Sequence, residues 1–388
     1  MFTHIYITYR RKLSVLIFLL VFSAIPSTPL YAVEFSLFGD VNIIGSDNEG
    51  ESTSFVLGQI DLIANQEISP TTSVVVELVL ESGIDANTAT NTTNIDVERF
   101  AITKKLSENT EIGLGRFHTP IGIWNTSFHH GSLIQDTVSR PFFLDFEDSG
   151  GVMPVHMVGV SLNGNKNFFN YQMMVGNNNG MNTSKDPTRV TSSELIVFNN
   201  IDLSNNKSYA IRTGFEFLKH SAEFGLNYLN GDILETGDPS KPPAPLTAQG
   251  ELLFNQEIIG MDLHWEFGDF YILTEIYQIN TTENPDLPAS GVIGATGLYS
   301  ADAAYFQFSY LPTDRLTLSL RYETLTFEID NRYMTTLGKF PEERNVAVLS
   351  YQMEESNALR LEFNQSTLDN PTNDSSLSFT VQWYFLLI

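Results

Sequence analysis

Long runs of two-residue alternation constrain this chain more than any other feature. Near the C-terminus, Leu377, Phe379, Val381, Trp383, Phe385 and Leu387 are apolar, while Ser378, Thr380, Gln382, Tyr384 and Leu386 lie between them. Successive side chains of a strand point to opposite faces, so this period means a strand with one apolar face. A helix would smear the same residues around its circumference. The pattern recurs over 209–217, 259–267, 316–323 and 359–363. There the second face carries Arg212, Glu216, Asp262, His264, Glu266, Arg321, Glu323, Arg360 and Glu362. Such groups do not sit unpaired in a dry core, so this face is expected to meet water.

The strands read at about nine to eleven residues, the length that crosses a bilayer at a tilt. Aromatics cluster on the apolar faces beside turns: Trp265, Phe267 and Phe270 bracket Gly268-Asp269, and Phe308 and Tyr310 precede Pro312-Thr313-Asp314. An aromatic girdle at a membrane interface explains that placement. Aromatic core packing in a secreted β protein is the alternative. Sixteen strands are expected, at 34–45, 54–66, 71–82, 95–104, 109–117, 155–164, 167–177, 207–217, 221–231, 256–267, 269–280, 302–311, 315–326, 344–353, 357–366 and 376–387. Their connections alternate between short (Asn165-Lys166, Gly268-Asp269, Pro312-Thr313-Asp314, Glu354-Glu355-Ser356) and long (118–154, 178–206, 232–255, 281–301). An even strand number with tight turns at one end and long loops at the other predicts an all-β transmembrane antiparallel barrel. Closure satisfies every backbone edge, which lipid demands. Sixteen strands enclose a space too wide for wall side chains to fill, so an aqueous channel is expected. The longest connection, 118–154, is then the third external loop. The Pro-rich stretch 239–245 reads as an exposed loop tip.

The N-terminus reads as an address. Arg10, Arg11 and Lys12 precede an apolar run from Leu13 to Ile25, and Leu30-Tyr31-Ala32 ends on a small residue. This is the pattern of a cleavable secretory signal over 1–32, leaving a single barrel domain over 33–388. An uncleaved anchor is the alternative.

Charge and composition exclude other classes. The net charge is −25, and −28 without the three basic residues of the first 32, which argues against a nucleic-acid partner. The chain has no cysteine, so disulfide scaffolds and thiolate chemistry are excluded. No Ser-His or Asp-His set on the outer rim supports an enzyme, and no catalytic residue or cofactor is expected. Ser161 lies in a strand without the closing glycine of a nucleophile elbow, and Gly291, Gly294 and Gly297 lack the strand-to-helix context of a phosphate loop. His118, His129, His130 and His156 invite a metal reading, but adjacent residues such as His129 and His130 diverge on extended chain, so no metal site is expected. Asp145, Glu147 and Asp148 lack calcium-loop spacing and read as a solvated acidic loop.

The stretch Gly115-Arg116-Phe117-His118-Thr119-Pro120-Ile121-Gly122, followed by Trp124-Asn125, His129-His130-Gly131 and Ser139-Arg140-Pro141-Phe142, resembles the entry into the third loop of Gram-negative porins. It is similar in particular to the phosphate-selective porin-like families. The resemblance implies a loop that folds into the lumen, with Arg116, His129, His130, Arg140, Asp145, Glu147 and Asp148 at a constriction. It implies residence in the bacterial outer membrane, amid lipid and lipopolysaccharide, and passive diffusion of small hydrophilic solutes. A homotrimer is the assembly it allows. Two features depart from the family. Its phosphate-selective members line the lumen with Lys and Arg, whereas this mature chain has 18 basic residues against 46 acidic, and it ends on Ile388 rather than an aromatic. The lumenal parity holds Glu77, Glu81, Glu216, Asp262, Glu266, Glu275, Glu323 and Glu362 against Arg212, Arg321, Arg344 and Arg360, so weak cation selectivity is expected. The alternative is a surface binding or adhesive protein acting through its long external loops.

Overall fold

The computed structural model describes residues 33–48, 52–85, 90–129, 135–147, 150–181, 194–236, 252–284, 297–338, 340–368 and 375–387. The expected signal segment, the Pro-rich tip 239–245, His130 and Asp148 lie outside the described residues.

Among the described residues, eighteen strands form one sheet: β1 (Glu34–Ser46), β2 (Ser54–Ser69), β3 (Thr72–Asp85), β4 (Thr90–Ser107), β5 (Thr110–His118), β6 (His156–Lys166), β7 (Phe169–Gly176), β8 (Asn179–Met181), β9 (Leu195–Val197), β10 (Ser208–Phe217), β11 (Ala222–Glu235), β12 (Leu252–Phe267), β13 (Phe270–Glu283), β14 (Leu298–Thr313), β15 (Leu316–Phe327), β16 (Pro341–Glu354), β17 (Asn357–Leu368) and β18 (Ser375–Leu387). Sixteen of them make a closed antiparallel barrel. Sequence neighbours pair in turn, β7 pairs with β10, and β1 pairs with β18 from Leu37↔Leu387 to Ser46↔Ser378. The remaining two, β8 and β9, form a small hairpin in the loop between β7 and β10, with β8 lying parallel to the end of β11.

The sixteen expected strands all occur, with shifted ends. Asn165 and Lys166 belong to β6 and the turn falls on Asn167, at a φ of 58°. Pro312 and Thr313 extend β14. Several strands are longer than a bilayer needs, 16 residues in β2, β12 and β14 and 18 in β4. Antiparallel pairing continues past the lipid wherever both strands still have partners.

Parity decides the two faces. Leu320 is 62% exposed while the next residue, Arg321, is 2% exposed; Ile276 is 51% exposed while Glu275 is fully buried. The outer face is thus apolar and the inner face carries the charges, the arrangement a hydrocarbon solvent selects. On the outer face near the short turns, Trp265, Phe267, Phe270, Phe308 and Tyr310 form a chain of ring contacts with centroids 4.7–5.7 Å apart. This is the expected girdle rather than a core.

A charge on the apolar belt tests this orientation. Leu320→Arg should destabilise the membrane-folded barrel by about 2–4 kcal/mol, the cost near a bilayer midplane. The shift of the urea midpoint in lipid vesicles measures it, and an unchanged midpoint contradicts a lipid-facing Leu320.

Candidate functional site: the third loop inside the barrel

The described residues of the connection between β5 and β6 (119–129, 135–147 and 150–155) turn into the barrel. They contain a short helix, α1 (Gly122–Ser127), and a 3-10 turn at Phe142–Leu144. Ile121, Trp124, Phe143 and Leu144 are buried against wall residues Leu229, Ile258, Tyr277 and Tyr305. Trp124 meets Tyr305 edge-on at 5.8 Å, and Phe143 meets Tyr277 at 6.2 Å. From the loop between β15 and β16, a second helix, α2 (Arg332–Leu337), adds buried Tyr333, Met334 and Leu337. The inner face was expected to be wet. Instead, much of it carries an apolar core supplied by loops, because Leu, Ile and Tyr at wall positions offer that loop an apolar partner.

A loop carried inside a barrel must satisfy its backbone, and here the wall charges do so. Carboxylates accept from its N–H groups: Glu275 from Trp124 at 2.5 Å, Glu323 from Phe142 at 2.8 Å, and Glu362 from Val138 at 2.6 Å and Ser139 at 3.1 Å. The Asn227 side chain accepts from Gly122 N–H at 2.8 Å. Arginines donate to its carbonyls: Arg321 to Ser139 O at 2.8 Å, Arg360 to Gln135 O, and Arg344 to Arg140 O. The Tyr333 hydroxyl donates to Val152 O at 2.7 Å. At α1 the residue before the helix offers no side-chain cap. Glu275 and Asn227 on the wall take that role from across the lumen, where an acceptor is favoured. Gly122 allows the approach: its φ is +67°, and a Cβ there would lie 2.0 Å from the Tyr277 hydroxyl.

The expected constriction residues are therefore mostly ties. Arg116, on β5, is buried and donates to Glu98 O at 3.1 Å and to Asn199 Oδ1 at 2.9 Å. Arg140 is buried, donates to Leu144 O at 2.9 Å and His129 O at 2.5 Å, and lies 4.1 Å over the Phe146 ring. Both guanidinium groups are thus engaged within the protein. Asp145 remains half-buried and accepts from Phe146 N–H. Burial pushes the Asp145 and Asp136 carboxyls up and the Arg140 guanidinium down. Glu147 is thus not solvated as expected: it is buried and accepts from His156 N–H at 2.8 Å, while Asp148 lies outside the described residues.

Among the lumenal candidates, Arg212 pairs with Asp262 at 2.6 Å and Glu223 at 2.8 Å, and Arg321 with Glu323 at 2.7 Å. Glu216 is half-buried and Glu266 exposed, with His264 3.5 Å from Glu266 near the short-turn end. The structure adds inward acids outside the expected set: Asp40, Asp61 and Glu98, all buried. Glu98 comes from a bulge. Register runs from Glu77↔Arg99 to Leu78↔Val97, leaving Glu98 unopposed. Val97 and Phe100 both face outward, so Glu98 and Arg99 both turn inward. The break in alternation over Val97-Glu98-Arg99-Phe100 is the sequence signal for it.

The structure also brings together three of the four histidines weighed above as metal ligands, His118, His129 and His156. His118 and His156 are directly opposed partners at the neck of the loop. His129 lies just after α1, its Nε2 2.8 Å from His156 Nε2, and its ring stacks on His118 with centroids 3.7 Å apart. Glu98 Oε2 is 2.5 Å from His156 Nε2 and 3.9 Å from His129 Nε2. Burial, with the neighbouring His118 and His156 rings, holds the His129 imidazole well below its ordinary value.

Removing a wall tie should cost far more than removing a mouth charge. Glu362→Ala strands two half-buried N–H groups, at about 1 kcal/mol each. Glu266→Ala should change stability by less than about 0.5 kcal/mol. Urea midpoints of the two folded variants provide the comparison, and equal midpoints would contradict the anchoring role.

No family model matches the chain, and no curated protein matches it. Solved structures do. The outer membrane channel DcaP of Acinetobacter baumannii is 11% identical with a TM-score of 0.60, over 93% of this chain and 99% of that one. The anion-selective porin from Comamonas acidovorans is 13% identical with a TM-score of 0.56, over 92% and 100%. OmpT of Vibrio cholerae in its trimer form is 12% identical with a TM-score of 0.55, over 92% and 100%. The chain thus has a closed sixteen-stranded fold similar to that of Gram-negative outer-membrane porins.

Proposed function

We propose that this chain is a channel of the bacterial outer membrane through which small hydrophilic solutes and ions diffuse passively, with a weak preference for cations. The observation that carries the reading is the closed barrel with an apolar outside, a charged inside and its third loop within. Residues 1–32 would direct export and be removed, and 33–388 would form the one barrel, set among lipid and lipopolysaccharide. The similar structures include a protein described as a channel, an anion-selective porin and a trimer. A homotrimer is accordingly the assembly we propose. Because one similar porin is anion-selective, the fold does not fix the sign of selectivity; the charges of this chain must. No phosphate preference is proposed, since lumenal arginines are engaged by the loop and by acids.

The loop is tied to β11, β13 and β15–β17, and the arc from β1 to β4 holds Asp40, Asp61, Glu77 and Glu98. The lumenal parity carries more acids than bases, and a net negative lining would concentrate cations, the low-dielectric wall strengthening the effect. In a KCl gradient at low ionic strength, the reversal potential should show cation preference that fades as salt screens it. Anion preference would refute the selectivity. Deleting 124–147 should raise single-channel conductance by roughly twofold or more while the barrel stays heat-modifiable, because the loop narrows the lumen. The apolar packing of that loop favours a second reading, a surface binding or adhesive protein. A folded barrel that conducts neither with the loop nor without it would select that one.

A further inference from the structure

We propose that His118, His129, His156 and Glu98 form a divalent transition-metal site, best suited to Zn²⁺, that fastens the third loop to the barrel wall. The ligand atoms of the three imidazoles lie within 4.8 Å of one another. They come from three places, the last residue of β5, the first residue of β6 and the loop between them, and Glu98 adds a carboxylate from the β4 bulge.

The tautomers carry the argument. His129 Nδ1 lies 2.6 Å from Asn125 Oδ1. The Asn125 amide nitrogen already donates to Thr119 O at 2.8 Å and Val155 O at 2.9 Å, so its oxygen is fixed as the acceptor. His129 Nδ1 therefore carries the proton, and its Nε2 holds a lone pair. His156 Nδ1 lies 2.9 Å from the Glu147 carboxylate, again an acceptor, so His156 Nδ1–H donates as well. In neutral rings both Nε2 lone pairs then face each other at 2.8 Å, with a Glu98 oxygen 2.5 Å from one of them. Two lone pairs and an anion at one point are relieved by a proton on His156 Nε2 or by a metal cation in its place. A carboxylate or amide oxygen behind each ring is also the usual outer partner of a metal-bound histidine.

Three imidazoles and one carboxylate suit zinc in tetrahedral coordination. Zn–N bonds of about 2.0–2.1 Å separate adjacent nitrogens by about 3.3 Å. Metal entry thus widens the His129–His156 gap by roughly half an ångström and tilts His118 off its stack. Around the site Glu98, Glu147 and Asp145 outweigh Arg140, so a dication is favoured. His129, His156 and Glu98 are buried, whereas His118 is only half-buried and marks the open side.

The test uses the full barrel folded in detergent, stripped with chelator and then given Zn²⁺. Elemental analysis after gel filtration should find about one zinc per chain. His118→Ala and Glu98→Gln should each weaken zinc retention at least about tenfold, while His264→Ala, near the short-turn end, should leave it unchanged. Heat-modifiable migration reports that each variant is folded; if Glu98→Gln fails to fold, His118→Ala decides alone. Co²⁺ in place of zinc should give the intense visible absorption of a four-coordinate site, lost in His118→Ala. A folded wild-type barrel that retains no zinc, or retains it equally in His118→Ala, overturns the proposal. The first of these outcomes would leave a shared proton as the cation.

Discussion

Every backbone N–H and carbonyl withdrawn from water needs a partner, and that one requirement shapes this molecule twice. In the wall it forces closure, with β1 hydrogen-bonded to β18 so that no strand edge meets lipid. In the lumen it applies to an irregular loop that has no strand to pair with. Glu275, Glu323 and Glu362 accept from its amides while Arg321, Arg344 and Arg360 donate to its carbonyls. The inner charges are thus a set of complementary sockets for one path of the chain. Hydrogen bonds to charged groups are stronger than those between neutral ones, which suits a segment with little secondary structure of its own.

The same feature ties electrostatics to shape. An arginine that donates to a carbonyl and pairs with an acid offers little field to a passing ion. Arg140 and Arg116, inside the loop and at its base, both donate to carbonyls, and Arg116 also lies 3.8 Å from Asp96. On the other arc of the wall, Arg99 pairs with Glu77 beside Asp61 and Glu98, and all three acids are buried.

Most of the barrel was legible in the sequence, because a strand between lipid and lumen must alternate and alternation survives any local propensity. Leu359, Leu361 and Phe363 around Arg360 and Glu362 already specify which side is out. The short-long rhythm of the connections likewise follows from topology alone. The contents of the lumen were less legible. Period-two patterning says that Glu275 points inward, but not that Trp124 N–H, 151 positions earlier, will meet it. Glu98 was missed because a bulge breaks the parity on which the inward set was built. The histidines were judged by the adjacency of His129 and His130, whereas His118 and His156 meet through strand register across the loop.

The ties of the third loop reach far along the chain. Gly122 meets Asn227, Phe142 meets Glu323 and Val138 meets Glu362, across 105, 181 and 224 positions. Their partners belong to the later strands. A loop emerging between β5 and β6 therefore has no complete seat until β17 is in place, when only β18 remains to close the ring. Such non-local pairing is slow to form, since the closure entropy is paid before the contacts reward it. Assembly thus has a built-in sequence: wall first, loop afterwards, with the interior sealed only in the last steps. A barrel stalled short of β17 would carry its third loop loose, and with it the apolar residues Trp124, Phe143 and Leu144 that the finished molecule hides.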